Sequence, residues 1–265
     1  MEPAEIVTGQ DRPPTVIAFD HVSFAYGPLV VLSDVSFAIA PGTVNCVIGP
    51  SGCGKTTVLR LVGGFLKATS GVVTIDGEVR TRPTRNVAVV FQDYSRALLP
   101  WRNVYDNVSL ALEAARVARG ERRTRIESML ELVGLKNHMT KFPAQLSGGM
   151  QQRLQIARCL AQNPKILLMD EPFGALDAMT RGILQDELLR IQEEHRVTIL
   201  FVTHDLEEAL YIGNRIIALA ANPGRVSRLV DVPLPFPRNQ LSTREHPEFL
   251  GMRRDLFGLT HGHQV

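Results

Sequence analysis

The octapeptide Gly49-Pro50-Ser51-Gly52-Cys53-Gly54-Lys55-Thr56 constrains this chain more than any other stretch. Two glycines with four residues between them precede a lysine and a hydroxyl residue, which is the phosphate-loop pattern. Val44, Cys46, Val47 and Ile48 stand just before it and read as a buried strand, while Val58, Leu59, Leu61 and Val62 follow at helical spacing. Strand, loop and helix in that order are what the pattern needs. Glycines let backbone N–H groups turn inward around phosphate oxygens, and the helix presents its positive end to the same anion. Lys55 then neutralises the outer phosphates and the Thr56 hydroxyl reaches a magnesium ion. A nucleotide-binding α/β fold is the first expectation.

The rest of the composition narrows the class. At 265 residues the chain suffices for one large domain or a domain with an insertion. A net charge of +2 gives no argument for nucleic acid, and the basic residues Arg119, Arg122, Arg123 and Arg125 are diluted by Glu121 and Glu127, as on a solvated helix face. No apolar run approaches the ~20 residues that cross a bilayer, and Met1 to Thr15 is polar with no signal-peptide core. Cys46, Cys53 and Cys159 have neither zinc-site nor disulfide spacing, which fits a reducing cytosol. Cys53, inside the loop and near a helix N-terminus, is expected to have a lowered thiol pKa and to be protected from alkylation by bound nucleotide.

Along the chain, residues 16–48 alternate as short strands, and Asp76-Gly77 between strand-like runs predicts a hairpin. Val87 to Phe91 reads as a buried parallel strand. From Asp93 to about Asn163 the periodicity turns helical, over Val104 to Val117 and Arg125 to Val133. The intervening Ala97-Leu98-Leu99-Pro100-Trp101 is an apolar loop, either core or a partner surface. Ser147 is a plausible N-cap for a second glycine-rich loop, Ser147-Gly148-Gly149-Met150-Gln151, that feeds a second helix. One nucleotide needs only one such loop, so the second is a surplus. Ile166 to Met169 reads as a buried strand ending in Asp170 and Glu171, where ligands of open α/β sheets bind. Asp170 is the natural acid to hold Mg²⁺ and Glu171 the natural base toward water. His204 falls just past the next strand, Val197 to Val202. A helix is expected over 178–195, a strand over Arg215 to Leu219, and a terminal helix over Glu245 to Leu259, to which no chemistry attaches.

Together these residues resemble the ATP-binding subunit of ABC transporters over roughly residues 16–225. Gly49 to Thr56 is similar to the Walker A loop, Ile166 to Glu171 to Walker B with its catalytic Glu, and Leu146 to Gln151 to the signature, written LSGGM where LSGGQ is commoner. Gln92 matches the Q-loop, Ala175-Leu176-Asp177 the D-loop, His204 the switch histidine, and Tyr26 the aromatic that stacks on adenine. The resemblance implies a P-loop nucleoside triphosphatase, a RecA-like parallel-sheet core with an antiparallel β subdomain and an inserted α-helical subdomain. The ATPase domain is expected over 16–245, with 16–92 and 161–225 as core and β subdomain, 93–160 as helical subdomain, and 226–265 as a C-terminal extension.

The implied nucleotide contacts are Tyr26, Gly49, Pro50, Ser51, Gly52, Cys53, Gly54, Lys55, Thr56 and Thr57. From the facing signature and D-loop, Ser147, Gly148, Gly149, Gln151 and Asp177 join them. Glu171, His204, Gln92 and Lys55 are the implied catalytic groups; Thr56, Gln92 and Asp170 the implied Mg²⁺ ligands; ATP and Mg²⁺ the cofactors. In this family two copies pair head to tail, which explains the surplus loop. The partners implied are a second copy, integral membrane permease subunits near Leu98, Leu99, Pro100 and Trp101, and indirectly an external solute-binding protein, with no nucleic acid. The expected location is peripheral, on the cytoplasmic face of the inner membrane. Phe91-Gln92-Asp93, Pro172 to Asp177 and Asn222-Pro223-Gly224-Arg225 look most like the nitrate, sulfonate and taurine importer branch, with bicarbonate and thiamine-precursor importers similar. Three alternatives are disfavoured. A soluble repair or translation ABC ATPase would carry two cassettes or long insertions, a small GTPase would carry an Asn-Lys-x-Asp motif, and a non-hydrolysing scaffold would not need Glu171 and His204.

Overall fold

The computed structural model describes residues 14–93, 97–174 and 176–261. Ala175 and Met1 to Pro13 of the sequence expectations lie outside them. Three short fully buried runs, β3 (Val44–Ile48), β7 (Ile166–Asp170) and β8 (Thr198–Val202), are apolar along nearly their whole length. Such runs are stable only with both faces covered, as in a parallel sheet. They join β6 (Val87–Val90), β9 (Arg215–Ala220) and β10 (Arg225–Asp231) in a six-stranded sheet of order β10-β9-β3-β8-β7-β6. Only β10 runs antiparallel to its neighbour.

A second, antiparallel sheet has the order β2-β1-β4-β5, built from β1 (Ile17–Tyr26), β2 (Leu29–Ile39), β4 (Ser70–Ile75) and β5 (Glu78–Val79). Asp76 and Gly77, both at positive φ (50° and 79°), make the tight turn expected between β4 and β5. This sheet packs with α1 (Lys55–Val62) onto one face of the parallel sheet, in a core that includes Phe19, Phe37, Leu59, Leu168 and Leu200.

Helices α2 (Val104–Ala114), α3 (Arg119–Leu132) and α4 (Gly148–Ala161) share a separate core of Val108, Leu112, Ile126, Leu130 and Leu154. The other side of α4 turns Ile156, Cys159 and Leu160 onto the second face of the parallel sheet. One helix thus belongs to both bodies. Also on that face are α5 (Ala178–His195), α6 (Leu206–Ile212) and the C-terminal α8 (Pro247–His261), the last through Phe249 and Leu256.

Two expectations are corrected. Helix α3 begins at Arg119 rather than Arg125, so the arginine cluster occupies its first two turns, with Arg123 bonded to Glu127 at 2.8 Å. Arginine is a good helix former and the i,i+4 pair adds to it. The terminal helix α8 begins at Pro247 rather than Glu245, because Pro247 lacks an N–H and forces His246 into extended backbone (ψ 133°), and a separate short helix, α7 (Ser242–Glu245), precedes it.

Candidate functional site

Val47 and Asp170 both pair with Val202, and Val90 pairs with Met169, so β3, β8, β7 and β6 finish side by side. The residues that follow these four ends are the phosphate loop, His204, Glu171 and Gln92. The sheet order alone brings together four segments far apart in sequence.

The loop after β3 is a closed piece of structure. Gly49, Gly52 and Gly54 have φ of 151°, 79° and 98°, which side chains resist. A Cβ at Gly49 would lie 2.5 Å from the Leu219 carbonyl oxygen and 2.7 Å from Cys53 Sγ, so that position also lacks room. Lys55 is 8% exposed and donates from Nζ to the Gly49 oxygen at 2.8 Å and the Pro50 oxygen at 3.0 Å. Its ammonium therefore spans the loop from beneath, while Pro50, Ser51 and Gly52 form the exposed rim and Thr57 is buried.

Cys53 corrects the sequence expectation of a reactive thiol. Its side chain is fully buried in the core with Leu59 and Leu219. Burial pushes the thiol pKa up, and this outweighs the opposing pull of the Lys55 charge and of backbone N–H groups. The helix N-terminus loses to desolvation.

At the carboxyl end of β7, Thr56 Oγ1 donates to Asp170 Oδ1 at 3.3 Å. Asp170 is 5% exposed, and burial raises its carboxyl pKa, with Glu171 adding to the shift and the Thr56 bond opposing it. A buried acid with a raised pKa gains from a cation, so the pair fits Mg²⁺. That ion takes one or two protein oxygens and completes its shell with water and phosphate. Glu171 has φ 45°, and its backbone N–H donates to the Val202 oxygen at 2.9 Å. Two groups meet its Oε2. Gln92 Nε2 donates to it at 3.2 Å, and His204 Nδ1 lies 3.3 Å away. Gln92, expected also at the metal, is thus engaged with Glu171 rather than with Thr56 and Asp170.

The second glycine-rich loop differs. Ser147 is exposed and caps α4, its Oγ accepting from Met150 N at 3.3 Å, with Gly148 and Gly149 in the first turn. Gln151, expected at the nucleotide, donates from Nε2 to the Pro143 and Leu146 oxygens at 3.0 and 3.3 Å, and so secures the turn before the helix. A Cβ on Gly149 would lie 3.0 Å from the Leu176 side chain, which places the loop beside Asp177. Asp177 caps α5 by accepting from Thr180 N at 2.9 Å, and that backbone bond holds its carboxyl below the usual range. Tyr26 is 45% exposed at the end of the β1–β2 hairpin, edge-on to Phe24 at 4.8 Å.

The apolar segment before α2 splits: Leu98 is 3% exposed and belongs to the helical core, whereas Trp101 is 71% exposed. Leu98 therefore drops out of the expected partner surface. Buried Asn107 sets this geometry. Its Oδ1 accepts from Leu99 N at 2.9 Å, and its Nδ2 donates to the Leu99, Arg102 and Asn103 oxygens. Sequence reasoning missed Asn107, and it missed Gln155 on α4. The fully buried Gln155 amide pairs with the Phe91 backbone, donating to its oxygen at 3.1 Å and accepting from its nitrogen at 2.8 Å. The only hint was a glutamine within an apolar helix face.

An anion cradle at the carboxyl end of a buried strand, with acids beyond a strand of the same sheet, is the arrangement that P-loop nucleoside triphosphatases share, and this fold is of that class. The family model described as ABC transporter matches residues 32–174. The nitrate import ATP-binding protein NrtD of Synechococcus elongatus is 45% identical over 86% of this chain and 84% of its own length. The bicarbonate transport ATP-binding protein CmpD of Synechocystis sp. is 41% identical over 89% of this chain and 86% of its own. NrtC of Synechococcus elongatus, a nitrate import ATP-binding protein, is 44% identical over 91% of this chain, which spans only 37% of that longer protein. Among solved structures, the dimeric post-hydrolysis ATP-binding cassette MJ0796 with ADP and Pi superimposes with a TM-score of 0.73 at 33% identity, over 82% of this chain and 98% of that one. The chain belongs to the ABC transporter family, as one of its ATP-binding ATPase subunits.

Proposed function

We propose that this chain hydrolyses ATP to power import of a small solute through a separate membrane permease, by head-to-tail closure of two copies around nucleotide. The cargo that fits best is a small anion such as nitrate, with sulfonate, taurine and bicarbonate as near relatives in chemistry. Two of the relatives above carry nitrate in their names and one carries bicarbonate, which supports the anion class. We assign the ATPase unit to 16–245, with 93–160 as its helical part. No helix among the described residues is long and apolar enough to cross a membrane. In this reading the translocation path belongs to the separate permease, with this subunit peripheral to it, as the transport names of its ATP-binding relatives suggest.

The observation that carries the proposal is the convergence of Gln92 and His204 on one oxygen of Glu171, beside the Thr56–Asp170 pair. Phosphoryl transfer needs positioning and charge stabilisation more than covalent chemistry. In this reading, loop N–H groups and Lys55 hold the phosphates. Bound at Thr56 and Asp170, Mg²⁺ would neutralise phosphate charge. Glu171 orients a water and accepts its proton, while Gln92 and His204 hold the carboxylate and the γ-phosphate end in register. Ser147 and Gly149 of a second copy cover the opposite side, with Asp177 at the same junction, and Tyr26 stacks on the base. Exposed Trp101, with Leu99 and Pro100, faces the permease.

Phosphate release should require Mg²⁺ and should rise when the cognate permease, reconstituted in vesicles, meets its anion-loaded binding protein. A hydrolysis rate unchanged by every anion-loaded binding protein tested with the cognate permease would reject the import reading.

A further inference from the structure

The C-terminal segment, to which the sequence attaches no chemistry, packs against α6, the helix that begins directly after His204. Three arginines make the contact. Arg238 is 9% exposed and donates to the Leu210, Tyr211 and Gly213 oxygens at 2.5–2.8 Å, closing the carboxyl end of α6. Burial lowers its pKa to about 10, so it keeps its charge at neutral pH. At the other end of α6, Arg244 Nη1 donates to Glu207 Oε2 at 3.0 Å and Arg253 Nη1 to Glu207 Oε1 at 2.6 Å. Glu207 lies in the first turn of α6, whose N-cap Asp205 accepts from Glu207 N at 2.9 Å.

A second, deeper connection reaches the same point. Arg244 Nη2 donates to Gln185 Oε1 at 3.3 Å, and Gln185 Nε2 donates to Glu208 Oε1 at 3.0 Å. Thr203 Oγ1 donates to Glu208 Oε2 at 2.6 Å and accepts from Asp205 N at 3.0 Å. Both connections end on Thr203 and Asp205, the two neighbours of His204. The His204 ring is 70% exposed and has no core packing to fix it, so its place beside Glu171 depends on the backbone on either side. Exposed ion pairs contribute little to stability; two of them on one carboxylate at a helix start fix position instead.

We propose that Arg244 and Arg253 are positioning residues for His204, acting through Glu207 and the start of α6, so that the C-terminal segment sets the hydrolytic geometry just before that helix begins. This rests on the role given above to His204. The test is the full-length chain with Arg244→Gln and Arg253→Gln together, beside the Arg244→Lys, Arg253→Lys pair. The glutamine pair should lower kcat about tenfold, less than the ~10²-fold that a misplacement of about 1 Å can cost. KM for ATP should stay within about twofold, since the change removes a transition-state interaction and leaves ground-state binding. The lysine pair should recover most of the rate. In a His204→Ala background the glutamine pair should cost nothing further, because coupled residues are not additive.

Amide exchange gives a readout independent of turnover. The glutamine pair should accelerate exchange at Asp205 to Glu208 and leave α1 and α4 unchanged. An unaltered kcat, or a full additional loss in the His204→Ala background, overturns the proposal, as does unaltered exchange. A wild-type chain that releases no phosphate, with exchange still accelerated in the variant, faults the functional reading and leaves the brace standing.

Discussion

The molecule has two glycine-rich loops that each open onto a helix, and they are built to opposite plans. The loop at 49–56 is enclosed: three left-handed glycines, a lysine tied beneath it, and a buried cysteine anchoring it to the core. The loop at 147–151 is open: an exposed serine cap, two glycines already in helical backbone, and a glutamine turned back on its own turn. The first can surround an anion alone. The second offers a helix N-terminus and one hydroxyl to whatever faces it. A preformed cradle and an open cap are the two halves that the proposed two-copy site requires.

Substitutions at each loop separate these roles, and the largest effect belongs to the base. Glu171→Gln should leave ATP affinity intact and cut turnover ~10³-fold, within the range of a lost general base. Near-normal phosphate release would remove Glu171 from the mechanism. Ser147→Arg should lower turnover about 10²-fold, the low end for a lost phosphate-facing donor. Its ATP affinity, measured by calorimetry on the isolated chain, should match the wild type. If affinity and turnover fall together, the open loop belongs to its own chain's site.

A smaller effect tests how the two bodies communicate. Gln155→Leu strands the Phe91 N–H and carbonyl and should cost ~1–3 kcal/mol in urea unfolding, the penalty for unpaired buried groups. It should also loosen Gln92, so kcat falls while KM holds. A stability change within error would mean that water replaces the amide and that Gln155 is not the link. The smallest effect concerns Cys53. Because burial raises the thiol pKa, little thiolate exists at pH 7, and alkylation should be slow with or without ATP, rising only as pH climbs toward that raised value. Rapid stoichiometric modification of the native chain at pH 7 would contradict the buried anchor.

These cases also show what a sequence can display. The phosphate loop was legible because its constraint is written into residue type: left-handed backbone demands glycine, and the anion demands Lys55. Asp170 and Glu171 were legible only in company with the phosphate loop, as acids at the carboxyl end of a strand, where ligands of open α/β sheets bind. Cys53 misled, since a helix N-terminus lowers a thiol pKa and burial raises it, and only packing decides which is larger. Leu98 and Trp101 looked alike as apolar loop residues. Asn107, whose four bonds draw Leu98 inward and leave Trp101 out, is a tertiary fact. Gln155 and the three arginines of the C-terminal segment act on partners far away in the chain, so no local pattern marks them.

In the proposed mechanism two loops from two copies form one site. The most direct measurement is the solution mass of the Glu171→Gln chain with saturating Mg-ATP, by light scattering. The expected mass is about twice the 29.3 kDa of one chain, reverting to one chain when Ser147→Arg is added although ATP still binds. A single-chain mass with ATP bound, or a dimer indifferent to Ser147→Arg, would contradict it.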